Sequence, residues 1–193
     1  MQLITNIIQE SVSVKQTIAA NAPLLQNIEQ AGWAMIAAFK QKKRVWLCGN
    51  GGSAADAQHI AAELSGRFYH DRPPLPAEAL HVNTSYLTAV ANDYGYEHVY
   101  SRLIEGFGSA GDVLIGISTS GKSVNVLNAL KQAGNIGITT IGLCGEHTQT
   151  ISQYCNMVVA VPSANTPRIQ EAHILIGHIW CQMIETELFS LLA

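Results

Sequence analysis

Two stretches rich in hydroxyls and glycines are suited to hold an anion. Ile117-Ser118-Thr119-Ser120-Gly121-Lys122-Ser123 follows an apolar run and precedes a helical pattern. Hydroxyls at a helix N-terminus suit the terminal oxygens of a phosphate monoester, because each can donate and the backbone amides add donors. Lys122 could add charge or simply point into water. Cys48-Gly49-Asn50-Gly51-Gly52-Ser53 also follows an apolar run and opens a helical segment. Its glycines let backbone approach a ligand closely, and the helix start offers free N–H groups and a positive dipole end. Ser53 is suited to cap that helix or to bind an anion. The glycine spacing matches neither the dinucleotide fingerprint nor a phosphate loop ending in Lys-Ser/Thr. Either stretch alone reads equally as a turn. Two of them at the C-terminal edge of one parallel sheet point to a ligand.

Acid–base chemistry has candidates nearby. His59 and Glu63 are four residues apart on the helix opened by the first loop, so they share a face. Small alanines surround them, although a surface His–Glu pair is the plainer alternative. The last helical stretch carries Gln170, Glu171, His173 and His178. At about 100° per residue, Gln170 lies about 80° from His178, and Glu171 about 20° from it. Either can partner His178, and helix geometry does not choose between them. His173 points about 140° away and reads as a core histidine. Ala91-Asn92-Asp93-Tyr94 is a polar stretch that reads first as a turn or helix cap.

The elements that must position these residues follow from the apolar pattern. Leu3, Ile7 and Ile8, then Ile28, Ala31, Met35 and Phe39, fall at helical spacing, with Asn21-Ala22-Pro23 marking a helix start between them. From Arg44 short apolar runs appear at Val45–Cys48, Ala77–Val82, Val113–Ile117, Thr139–Leu143 and Met157–Val161. Runs apolar at successive positions suit strands covered on both faces. Most are followed by a Gly-, Ser- or Asn-rich turn and a helical segment, as at Ala54–Leu64, Ser123–Ala133 and Arg168–Leu188. This alternation predicts a three-layer α/β/α fold on about five parallel strands. The expected organisation is one domain over residues 1–193, with a helical segment at 1–42 and the α/β core at 43–193. Arg72-Pro73-Pro74-Leu75-Pro76 reads as a stiff loop.

Composition narrows the class. Of 193 residues, 48% are apolar and 13% charged, against roughly a quarter charged in typical domains. That balance excludes disorder and favours self-association. The net charge of −3 argues against nucleic acid and against an anionic membrane surface. No apolar run approaches the ~18 residues of a membrane span. Met1 to Glu10 lacks the order of a signal peptide. Cys48, Cys144, Cys155 and Cys181 are widely spaced and read as buried thiols of a reducing, cytoplasmic compartment.

Taken together, these motifs resemble the sugar isomerase (SIS) domain family and, within it, the phosphoheptose isomerases. The resemblance runs through Cys48–Ser53, Asp56-Ala57-Gln58-His59 to Glu63, Asn92-Asp93-Tyr94, Gly111 to Gly121, Ser123, and Arg168-Ile169-Gln170-Glu171 to His178. It implies a flavodoxin-like SIS fold and an aldose–ketose isomerase. The implied reaction converts sedoheptulose 7-phosphate to D-glycero-D-manno-heptose 7-phosphate, for lipopolysaccharide or other surface glycans. By the same resemblance, Ser118, Thr119, Ser120 and Ser123 bind the phosphate, with Asn50, Gly51, Gly52 and Ser53, while Asn92 and Asp93 contact the sugar. His59, Glu63, Gln170 and His178 match a zinc site, Gln170 being the family's choice over Glu171. Glu63 and His178 match the catalytic pair. A homotetramer with shared active sites is implied as well. Gly145-Glu146-His147-Thr148 departs from the family by lacking a Gly-Gly pair, in a loop expected away from the catalytic positions. The rival reading is a non-catalytic binding module resembling the DnaA initiator-associating protein, which lacks the Glu63–His178 pair. A sugar-phosphate sensor is a second rival, but such regulators add a DNA-binding domain.

Overall fold

The computed structural model describes residues 1–189 of the chain. The expected domain and core end at 193, so positions 190–193 of that range lie outside the described residues.

Two helices open the chain, α1 (Gln2–Ala20) and α2 (Ala22–Lys40). Asn21 separates them, and its side chain accepts the Leu24 amide at 3.1 Å. That bond satisfies one of the free donors at the start of α2. Five strands follow: β1 (Val45–Gly49), β2 (Ala77–Ala79), β3 (Val113–Ser118), β4 (Thr139–Cys144) and β5 (Met157–Ala160). They form one parallel sheet in the order β2-β1-β3-β4-β5. Strand side chains alternate between the faces. Val45, Leu47, Ile115 and Leu143 face a core shared with α2, α3 (Gly52–Ser65) and α7 (Thr166–Phe189). Trp46, Cys48, Leu114 and Cys144 face a second core. That core is covered by α4 (Thr84–Tyr94), α5 (Ser101–Phe107) and α6 (Val124–Asn135). Each large aliphatic side chain so buried contributes about 1.5–3 kcal/mol. The result is the expected three-layer architecture.

Three local expectations change. The second strand stops at Ala79 rather than Val82. It is an edge strand whose partner residues end at Leu47, and the chain then turns into Asn83, which caps α4. The stretch Ala91–Tyr94 is the last part of α4, not a turn; the turn is Gly95, at φ 94°. Ser53 does not cap α3. Gly51 holds the cap position, and Ser53 is buried inside the first turn.

The strand order decides where a ligand can sit. The chain leaves β1 toward β2 on one side of the sheet and leaves β3 toward β4 on the other. Neighbouring strands whose connections run to opposite faces leave a crevice at their C-terminal ends. Both glycine- and hydroxyl-rich loops flank that crevice.

Candidate active site

The β3–α6 loop is shaped by Gly121, at φ 67°, whose amide donates to the Ser118 carbonyl at 2.9 Å. A side chain at Gly121 would run into the His147 carbonyl. Ser118 and Ser123 bring their hydroxyl oxygens to 3.0 Å, across the start of α6. The Lys122 amide donates to the Ser120 hydroxyl at 3.3 Å. Ser118 is buried, Thr119 and Ser123 are half-buried, and Ser120 is exposed with Lys122. Hydroxyls are thereby gathered beside a helix N-terminus. The Gly145–Thr148 loop packs directly behind them. The Gly145 amide donates to the Thr119 carbonyl at 3.1 Å. The departure from the family pattern thus touches the β3–α6 loop, although it is remote from Glu63 in the chain.

The β1–α3 loop is joined to this one by a residue that sequence reading passes over. Asn125, buried on α6, exchanges two amide hydrogen bonds with Asn50, each 2.8 Å. Tyr96 and Tyr100 also donate to Asn50 Oδ1, at 3.2 and 3.4 Å. Tyr100 donates to the Gly49 carbonyl at 2.6 Å as well. The side chain of Asn50 is therefore occupied in holding loop to loop, and Gly51 and Gly52 beside it are exposed. Nothing in the sequence marks Asn125 except its place two residues after Ser123.

Helices α3 and α7 run side by side. Gly52 lies against the Gln170 side chain, and Gly177 against Ile60. The absence of a Cβ at Gly177 lets the helices close. That approach sets His59 against His178, with Nε2 atoms 3.2 Å apart and ring centroids at 5.1 Å. His59 Nε2 is also 3.2 Å from Glu63 Oε1. Phe68 lies beside His178, with centroids 5.5 Å apart.

The remaining expected residues are placed as follows. Glu171 is engaged by Arg168 at 2.6 Å, whereas Gln170 turns to Gly52. Of the two alternatives on this helix, Gln170 is the one beside the first loop. It stands two turns before His178, about 12 Å along the axis. Asn92 and Asp93, both exposed, bond to each other at 2.7 Å. Tyr96, just beyond them, links this end of α4 to Asn50. His173 is fully buried, and burial pushes its pKa down to about 4, with the Cys144 backbone opposing weakly. Asp56, one turn before His59, is half-buried; burial pushes its pKa up to about 6, against the lowering effect of His59.

The donors near His178 can be compared with a metal's demands. Tetrahedral zinc with bonds near 2.0–2.1 Å spaces its ligand atoms about 3.3 Å apart. The two 3.2 Å separations around His59 Nε2 match that edge. Two imidazole nitrogens and a carboxylate are ordinary zinc donors. Among the described residues, no group of three or more His, Cys, Asp or Glu side chains is arranged to hold a metal ion.

A family model described as the SIS domain matches residues 10–145. A phosphoheptose isomerase from Sulfurimonas denitrificans is 52% identical, over 95% of this chain and 94% of its own length. One from Clostridium acetobutylicum is also 52% identical, over 95% and 93%. The solved phosphoheptose isomerase of Neisseria gonorrhoeae superposes with a TM-score of 0.89 at 40% identity, over 96% and 98% of the two chains. The sugar isomerase domain of an RpiR transcription factor superposes at 0.64 with 19% identity, a likeness of fold alone. Among the described residues, no helix is long and apolar enough to cross a membrane.

Proposed function

The chain belongs to the SIS-domain family and, within it, to the phosphoheptose isomerases, and on that premise we propose how its site works. The substrate is sedoheptulose 7-phosphate and the product D-glycero-D-manno-heptose 7-phosphate. The observation that carries this reading is His59, which stands 3.2 Å from both His178 and Glu63. His59 and Glu63 lie on α3, the helix that the β1–α3 loop opens.

The phosphate is held by the hydroxyls of Ser118, Thr119, Ser120 and Ser123 and by the backbone of Gly51 and Gly52, with Asn50 and Ser53 shaping the first loop. Anchoring the far end of the sugar fixes C1 and C2, so proton transfer needs little further ordering. Glu63 removes a proton from C1 while His178 protonates the C2 oxygen, giving the enediol. The reverse steps return the proton to C2 and take the C1 hydroxyl proton, giving the aldose. Carboxylate and imidazole are suitable general base and acid.

A zinc ion would supply Lewis acidity, polarising the carbonyl and stabilising enediolate charge. His59, Glu63 and His178 would hold it, with Gln170, whose amide lies against Gly52, as the fourth donor that the family resemblance assigns. Glu63 would be both one of its donors and the base. Asn92 and Asp93 complete the sugar contacts, in a homotetramer whose neighbours share sites. Exposed Leu3, Ile4 and Ile8 on α1 support self-association. Four free cysteines suit a cytoplasmic setting, with the product passing to lipopolysaccharide or other surface glycans.

The test is turnover of sedoheptulose 7-phosphate by wild type, Glu63→Gln and His178→Gln. Each variant should lose about 10²–10⁴-fold in kcat. Full activity in either rejects the role given to that residue.

A further inference from the structure

Behind Glu63 and His178 lies a buried ion pair in the segment that reads from sequence as a stiff loop. Arg72 Nε donates to Glu185 Oε1 at 3.1 Å, and both side chains are almost wholly hidden from solvent. Neither charge is left uncompensated. Glu185 accepts three successive backbone amides, from Phe68 at 3.3 Å, Tyr69 at 2.8 Å and His70 at 3.2 Å. Successive amides turned toward one point make an anion cradle. The rest of the guanidinium donates to four carbonyls, of Glu63, Leu64, Gly66 and Pro73. Those of Glu63 and Leu64 belong to the last turn of α3, where carbonyls lack helical partners and a cation is favoured.

The same pair therefore reaches both helices that carry the proposed acid and base. On α7, Glu185 lies seven residues beyond His178, about 20° around and about 10 Å along the axis. On α3, Arg72 grips the Glu63 backbone itself, at 2.8 Å. Between them, the amide held by Glu185 belongs to Phe68, whose ring lies against His178. We infer that the Arg72–Glu185 ion pair is a positioning device that sets the Glu63 carboxylate in register with the His178 imidazole. The purpose of that register rests on the isomerase reading.

Arg72→Lys keeps the charge but cannot span the carbonyls and the carboxylate together. Glu185→Gln keeps the shape and loses the charge. The measurements are kcat and KM for sedoheptulose 7-phosphate, per folded molecule, with inorganic phosphate as a competitive probe of the loops. A small misplacement of reacting groups should lower kcat about tenfold to a hundredfold. KM and the phosphate inhibition constant should stay within about threefold, because the β1–α3 loop opens α3 while the ion pair grips its last turn. A kcat within about threefold of wild type overturns the inference. So does a fall in kcat matched by an equal weakening of phosphate binding, the mark of general loosening. If both variants fail to fold, Phe68→Leu carries the test. It keeps the amide on Glu185 and removes the ring from His178, so kcat should fall with KM unchanged; an unchanged kcat overturns the positioning role. A wild-type chain that leaves the heptulose unconverted refutes the isomerase reading separately. The register is then read from crystal structures of the variants: a displaced Glu63 carboxylate supports the role, an unmoved one overturns it.

Discussion

Asn50 and Asn125 exchange two amide hydrogen bonds, each 2.8 Å, across the crevice between β1 and β3. Within the pair each side chain donates once and accepts once, so the β1–α3 and β3–α6 loops are tied as a unit. Truncating Asn125 leaves the Asn50 Nδ2 donor unsatisfied, at a cost of about 1–3 kcal/mol. Asn125→Ala should therefore weaken phosphate anchoring, raising KM and the inorganic phosphate inhibition constant about tenfold. Unaltered values in steady-state assays would show that the loops hold their shape without the pair.

Two glycines on the groove should behave differently when substituted. In Gly52→Ala the new methyl meets the Gln170 amide, the far end of a flexible side chain. Thermal stability should change little, while turnover falls as Gln170 is pushed aside. In Gly177→Ala the methyl meets Ile60 between packed helices, with Cγ1 at 2.6 Å. Overpacking of that kind costs about 1–3 kcal/mol. Denaturation curves beside turnover rates separate the cases; equal stability losses would count against this account.

His173 makes stability depend on pH. Its pKa is about 4 when folded, below the ordinary value of 6.5 regained on unfolding. Between those values the unfolded chain binds more protons, so stability rises with pH there. The contribution is full above about 6.5 and is lost as pH falls toward 4. Urea titrations at several pH values should show that loss, and His173→Leu should flatten it. A variant with the wild-type slope would move the effect to another group.

Removal of metal tests the zinc reading directly. Dialysis against a chelator should abolish sedoheptulose 7-phosphate turnover, and added zinc should restore it. Full turnover in chelated protein, with its metal content measured as nil, would sink the zinc assignment.

Some of this was legible along the chain, for physical reasons. Buried parallel strands are apolar at successive positions, which is why Val45–Cys48 and Val113–Ile117 read correctly. Helix α4 did not: Val90 is buried and Tyr86, Leu87 and Ala91 only partly so, and this short stripe ends in polar Asn92-Asp93, which reads as a turn. Asn125 looks like any polar residue in a helix, and Arg72 like a loop charge beside prolines. Their roles come from partners 75 and 113 residues away, a relationship no local spacing encodes.

The order of residues alone determined the strand–loop–helix alternation, the two glycine- and hydroxyl-rich loops and the shared face of His59 and Glu63. Periodicity and turn chemistry act over a few residues, so they are written locally. Tertiary structure decided the rest. It placed the loops on adjacent strands, chose Gln170 over Glu171 for the first loop and brought His178 to His59. These depend on strand order and on the close approach of α3 and α7 at Gly177, where packing across the fold sets the distance.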